Sequence, residues 1–147
     1  MTATPQTPAS AFKLEDEPGH LIRRAQQLAV STFHAVHGRH VTPIQYAILC
    51  ALSDAPGIDQ VTLAQMVALD TSTAADIATR LETKSWILRE MLPRRQRRLS
   101  LTPAGVTVLQ ELRPQVDALY AQLMRNLAPA EQQEFMRLLR KFVDFQG

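Results

Sequence analysis

The stretch TLAQMVALDTSTAADIATRLETKSWILREMLPRRQRRLSL, residues 62–101, decides the fold. It opens on Thr62-Leu63-Ala64-Gln65, a capping-box spacing that predicts a short helix carrying Leu63, Met66, Val67 and Leu69. Asp70-Thr71-Ser72-Thr73 is a break rich in helix caps, and a second helix follows to about Lys84. Ala74, Ile77, Ala78 and Leu81 fall at i, i+3, i+4, i+7 and form its buried face. Ser72, Thr73, Ala75, Asp76, Thr79 and Arg80 are left outward or at its N-terminal end. Residues 86–91 and 98–101 read as two short strands, joined by a tip at 92–97. A short helix, a tight turn, a second helix and a hairpin form a helix-turn-helix followed by a β-wing.

Charge supports that reading. Residues 84–98 hold six basic residues, Lys84, Arg89, Arg94, Arg95, Arg97 and Arg98, against the single acid Glu90. The whole chain has 16 Lys and Arg against 14 Asp and Glu, so the remainder is slightly acidic. A basic hairpin on an acidic body points to an anionic partner. Arginine suits phosphate and a narrow minor groove because its fork is planar and always charged. The small, polar outward face of the second helix fits a major groove about 12 Å wide.

Outward from this centre, a first helix is expected over 19–37, stopped by Gly38. Thr42-Pro43-Ile44-Gln45 opens a second through a capping box, with Ile44, Ala47, Ile48, Ala51 and Leu52 buried. Thr102-Pro103 caps a long helix whose seam runs through Val106, Leu109, Leu112, Val116, Leu119 and Leu123, kinked at Pro114. Ala128-Pro129-Ala130-Glu131 starts the last helix, with Phe135, Leu138, Leu139, Phe142 and Val143 on one face. Residues 1–18, bearing Pro5, Pro8 and Pro18, read as a loose arm.

From Gly19 to the end, the chain resembles the MarR family of winged-helix repressors. The carriers are Leu63-Ala64-Gln65, the stretch Asp70 to Trp86 with Arg80-Leu81-Glu82, and Arg94-Arg95 followed by Leu101-Thr102-Pro103-Ala104-Gly105. The resemblance implies a mainly α (α+β) winged helix-turn-helix acting as a homodimer on a pseudo-palindromic duplex DNA site, released by a small-molecule effector. It divides a single domain into an N-terminal dimerisation helix at 19–40, a DNA-binding region at 41–102 and C-terminal dimerisation helices at 103–147. DNA contacts are expected from Thr62, Ser72, Thr73, Ala75, Asp76, Thr79 and Arg80, with Arg95 in the minor groove and Arg94 and Arg97 on phosphates. The segment at 21–27 is similar to that of family members sensing aromatic acids. Arg24, with His20, is the expected effector contact; an interhelix ion pair is the competing reading of Arg24.

Three positions depart from the family pattern. Pro93 stands where the family has an aspartate that holds the wing arginine, so a looser wing is expected. Ser85 stands where glycine follows the recognition helix, a left-handed position costing serine about 1 kcal/mol. Asp76 stands where relatives often have arginine; it is read as the capping-box partner of Thr73 in preference to a cytosine contact.

No glycine-rich phosphate loop, nucleophile elbow or metal-ligand spacing is legible, so neither an enzyme nor a cofactor is expected. His34 and His37 are spaced for a metal but lack supporting ligands, and read as surface or dimer-interface residues. Cys50 reads as a buried, inert thiol. With no membrane-length apolar run, no signal peptide and one cysteine, the expected location is the cytoplasm. The alternative function is a winged-helix adaptor whose basic tip binds an acidic protein.

Overall fold

A computed structural model describes residues 12–144, and of Arg95 only the backbone. The helices are α1 (Pro18–His37), α2 (Pro43–Asp54), α3 (Gln60–Met66), α4 (Thr71–Thr83), α5 (Pro103–Leu112), α6 (Val116–Leu123) and α7 (Pro129–Phe142). The strands are β1 (Ile58–Asp59), β2 (Ile87–Met91) and β3 (Arg97–Leu101). They form an antiparallel sheet in the order β1-β3-β2, with Ile58 opposite Leu99 and Ile87 opposite Leu101. None of the described helices is long and apolar enough to cross a membrane. Of the expected arm, residues 1–11 lie outside the described residues, 14–16 form one 3-10 turn, and Pro18 already belongs to α1.

The core lies where α2, α4, α5 and the sheet converge. Ile48, Leu49, Leu52, Leu63, Leu81, Ile87 and Leu99 are fully buried within it. Each contributes about 1.5–3 kcal/mol through removal from water. This pins the helix-turn-helix to the base of the wing. α2 is enclosed by α3, α5 and β3 together, so its buried surface is wider than one stripe. Leu49 therefore joins the core, whereas Ile44, expected inside, is 43% exposed in the first turn.

Several caps are as expected. Thr42 and Gln45 form a reciprocal capping box, and Thr102 accepts from the Gly105 N–H. Gly38 ends α1 at φ 79°. Pro114, expected to kink the long helix, instead interrupts it: a 3-10 turn at Arg113–Gln115 separates α5 from α6. The apolar seam starts differently, with Val106 exposed and Val108 buried in the core.

At α3 an aspartate replaces the expected threonine cap, and at α4 the cap is Asp70, the first residue of the expected cap-rich break, and not Thr73. Asp59, at the end of β1, caps α3 by accepting from the Thr62 N–H, so Thr62 is the third helical residue rather than the cap. Asp70 caps α4, accepting both the N–H and the O–H of Thr73 at 2.9 and 2.6 Å. Thr73 is thus a donor to the cap, and the Thr73–Asp76 capping box does not form. A carboxylate one turn upstream offers two acceptor oxygens and negative charge to the helix N-terminus, which a hydroxyl cannot match. The same bonds hold the carboxyls of Asp59 and Asp70 below the usual aspartate range.

Of the two readings for His37, surface or dimer interface, the first does not hold: the residue is 5% exposed within the single chain. Its ring packs between Phe33 and Tyr46, and Nδ1–H donates to Gln115 Oε1 at 3.2 Å. It therefore ties the end of α1 to the break at Pro114. Cys50 is half-buried beside Tyr46, and burial pushes its thiol pKa up, away from the reactive thiolate.

Candidate nucleic-acid interface

The turn between α3 and α4 closes with Ala68 at φ 55°. The Ala68 N–H donates to Gln65 C=O and the Leu69 N–H to Ala64 C=O, a Schellman closure that satisfies the last carbonyls of α3. The end of α4 repeats it with Ser85 at φ 63°, through Ser85 N–H to Glu82 C=O and Trp86 N–H to Leu81 C=O. Ser85 therefore occupies the left-handed position expected of it. The two closures set the angle at which α4 leaves α3 and enters the wing.

α4 buries Ala74, Ala78 and Leu81, with Ile77 packed at the edge of the core. On the other side Ser72, Asp76, Thr79 and Arg80 are exposed, and Thr73 and Ala75 are partly exposed. The structure thus brings six expected contact residues onto one free face. Among the described residues the Asp76 carboxylate has no hydrogen-bond partner, and neither does the Arg80 side chain one turn on. Thr62 is exposed on α3. Thr79 is less free: its O–H donates to Ala75 C=O at 3.0 Å and its oxygen accepts from Arg89 at 3.1 Å.

The wing is the β2–β3 hairpin, paired from Ile87–Leu101 to Met91–Arg97. Its tip, Pro93–Arg95, is a 3-10 turn with Arg94 at φ 69°, closed by Leu92 N–H to Gln96 C=O at 2.7 Å. Arg94 and Arg97 are exposed; the side chain of Arg95 lies outside the described residues. A groove of about 250 Å³ between the wing and the helix-turn-helix is lined by Asp59, Gln60, Val61, Thr71, Gln96 and Arg97. Arg98 belongs elsewhere, because its guanidinium lies over Gly57, where any side chain would collide with it.

One residue of the site was not legible in sequence beyond its charge. Arg89 reaches from β2 to Glu82 on α4, with Nε at 3.3 Å from Oε2 and Nη2 at 3.1 Å from Oε1. The pairing crosses the α4–β2 turn, where no helix or strand periodicity connects the partners. The strand β1 was missed too, being two residues long.

The expected effector residues lie on a different element, in the first half of α1, which has no buried residue before Thr32. His20 Nδ1 meets Arg23 Nη2 at 3.0 Å, whereas Arg24 is exposed. Within one chain, then, His20 is joined to Arg23 and not to Arg24.

Comparison with known proteins agrees with this architecture. The family model described as "MarR family" matches residues 41–99. The transcriptional regulator HosA of Escherichia coli O111:H- is 33% identical over 106 residues, covering 71% of this chain and 78% of that protein. The PcaV transcriptional regulator from Streptomyces coelicolor, solved with its natural ligand, superposes with a TM-score of 0.86 at 33% identity, over 93% of this chain and 99% of that one. Bordetella bronchiseptica BpsR, whose DNA binding is regulated by 6-hydroxynicotinic acid, superposes at 0.84 with 29% identity, over 90% and 98% of the two chains. The chain belongs to the MarR family and is a winged helix-turn-helix transcriptional regulator.

Proposed function

We propose that two copies of this chain bind a pseudo-palindromic duplex and repress transcription until a small aromatic carboxylate releases them. The observation that carries the DNA reading is the free α4 face of Ser72, Asp76 and Arg80 beside a wing tip bearing Arg94 and Arg97. In this reading α4 lies in the major groove, with Thr73, Ala75 and Thr79 lining its approach. Thr62 and the wing arginines Arg94 and Arg97 meet phosphates, and Arg95 enters the minor groove. Asp76 faces base edges, where a carboxylate accepts from cytosine N4.

The dimer reading rests on uncovered apolar surface. α7 has no buried residue, and Phe135, Leu138, Leu139 and Phe142 on it are 38–68% exposed. Leu21, Ile22 and Leu28 on α1, all before its first buried residue, are likewise uncovered. Helices left this apolar in water need a partner, and a second copy supplies matching faces. The regions 19–40 and 103–147 are accordingly proposed as the dimerisation parts around the 41–102 reading head. The effector class follows from similarity to BpsR and from the guanidinium of Arg24, with His20 nearby, on the uncovered half of α1.

The test is fluorescence anisotropy on the DNA upstream of the protein's own gene, against scrambled duplex, over a salt series. Tight, sequence-preferring, salt-steep binding that 6-hydroxynicotinate or a related aromatic acid weakens supports the reading. Equal weak binding to both duplexes sinks it in favour of an adaptor for an acidic protein.

A further inference from the structure

Arg89 is 12% exposed in its side chain and makes three hydrogen bonds, all to α4. Two go to the separate oxygens of Glu82 and one to the hydroxyl of Thr79, one turn earlier on the same helix face. The proton of that hydroxyl is already given to Ala75 C=O. Thr79 therefore has its donor committed and its oxygen occupied, leaving its methyl group as the part free of internal bonding. Glu82 carries a negative charge on the helix that approaches phosphates, and the guanidinium offsets it.

We propose that Arg89 is a positioning residue that locks the wing to the recognition helix in its reading pose, with Glu82 and the Thr79 hydroxyl as its internal anchors rather than as groups that read bases. The proposal rests on the DNA-binding reading above. Its mechanics follow from leverage. The tip at Arg94 lies five positions beyond Arg89, roughly 15 Å away along an extended strand. A tilt of about 10° at the base would move it by about 2.5 Å, a large error against a minor groove about 6 Å wide. Anchors one helical turn apart resist both sliding and rotation of the hairpin on α4. A planar fork is required to hold both carboxylate oxygens and the hydroxyl at once, so lysine cannot replace it.

The sign of one substitution separates this role from simple electrostatics. If Glu82 only repels DNA, Glu82→Gln tightens binding on every duplex. If Glu82 anchors Arg89, Glu82→Gln loosens binding on the preferred duplex alone. The experiment first selects a duplex with the wild-type dimer from a randomised library. Glu82→Gln, Arg89→Met and Arg89→Lys are then titrated on that duplex, on a copy with its A·T flanks changed to G·C, and on a scrambled duplex. The expected result is a loss of about 10-fold or more on the selected duplex for all three variants, the scale of one good contact. Preference for A·T flanks should collapse toward unity, with less than about 3-fold change on scrambled DNA, where the pose of the wing matters least. Arg89→Lys, which keeps the charge, should lose flank preference almost as fully as Arg89→Met. If Arg89→Met fails to fold, Glu82→Gln and Arg89→Lys decide alone. Tighter binding by Glu82→Gln, unchanged flank preference, or an equal loss on selected and scrambled DNA overturns the clamp. A wild-type protein that enriches no sequence overturns the DNA reading itself, and the clamp with it.

Discussion

Single residues carry much of this architecture through backbone geometry. Gly105, from the Leu-Thr-x-x-Gly stretch, shows why that position tolerates no side chain: a Cβ would run into the Trp86 carbonyl oxygen. That carbonyl is held in place because it accepts from the Thr102 N–H, and Thr102 Oγ1 donates to the carbonyl of Ser85. An alanine in a helix ordinarily stabilises relative to glycine by about 1 kcal/mol. Here Gly105→Ala should instead destabilise by about 1–3 kcal/mol, the usual cost of overpacking, read by urea unfolding. A neutral or stabilising result would mean that α5 can slide away from the α4–β2 turn. The opposite change is expected at Ser85, whose φ of 63° is strained for a residue with a Cβ. Ser85→Gly should raise stability by about 1 kcal/mol, since glycine takes the left-handed closure without that strain. An unaltered unfolding midpoint would count against strain there.

At the scale of elements, the coupling between α4 and the wing is an ion pair with a definite pH response. The Arg89 guanidinium, mainly through its hydrogen bonds, holds the Glu82 carboxyl below its ordinary value of 4.5. A depressed carboxylate contributes stability above its unfolded value and loses it as pH falls through its folded value. Wild type should therefore be more stable than Glu82→Gln at pH 7, with the gap narrowing as pH falls below the ordinary carboxylate value and through the depressed one. Thermal melts of the two proteins across that range test it. A gap that does not narrow at all as the pH is lowered would show that packing, and not charge, distinguishes them. Helix starts on this scale were only half legible. Thr42 and Thr102 announce their helices because a proline follows each at the first helical position. Asp59 and Asp70 displaced the threonine caps expected downstream, since each stands one turn ahead with a stronger acceptor. The consequence reaches the site: Asp76 is free on the α4 face instead of closing a capping box.

For the whole molecule, the uncovered apolar faces of α1 and α7 make the single chain an incomplete object. Leu138→Glu places a charge in the middle of the α7 face, where Phe135, Leu139 and Phe142 are also exposed. Wild type is expected to sediment as a dimer with a concentration-dependent melting temperature, and Leu138→Glu as a monomer that no longer binds a palindromic site tightly. A wild-type monomer at micromolar concentration would refute the dimer reading. The break at Pro114 also belongs to this scale. It is held from one side by His37 on Gln115 and from the other by Arg113 on Ser53. It thus joins α1 and α2 through the place where the long C-terminal helix bends.

Local pattern was enough to order the helices, place the free face of α4 and locate the basic tip, because each depends on spacing within one segment. Ala74, Ala78 and Leu81 went inside, and Ser72, Asp76 and Arg80 outside, for reasons of helical period alone. Contacts between segments were another matter. The Arg89–Glu82–Thr79 clamp, the burial of His37 against Gln115, the two-residue strand that sets the Asp59 cap and the stacking of Arg98 over Gly57 all join residues that no single period relates. Only the close packing of α4, the sheet and the C-terminal helices chose those partners, because a side chain's available donors and acceptors are settled by what the fold brings within about 3 Å.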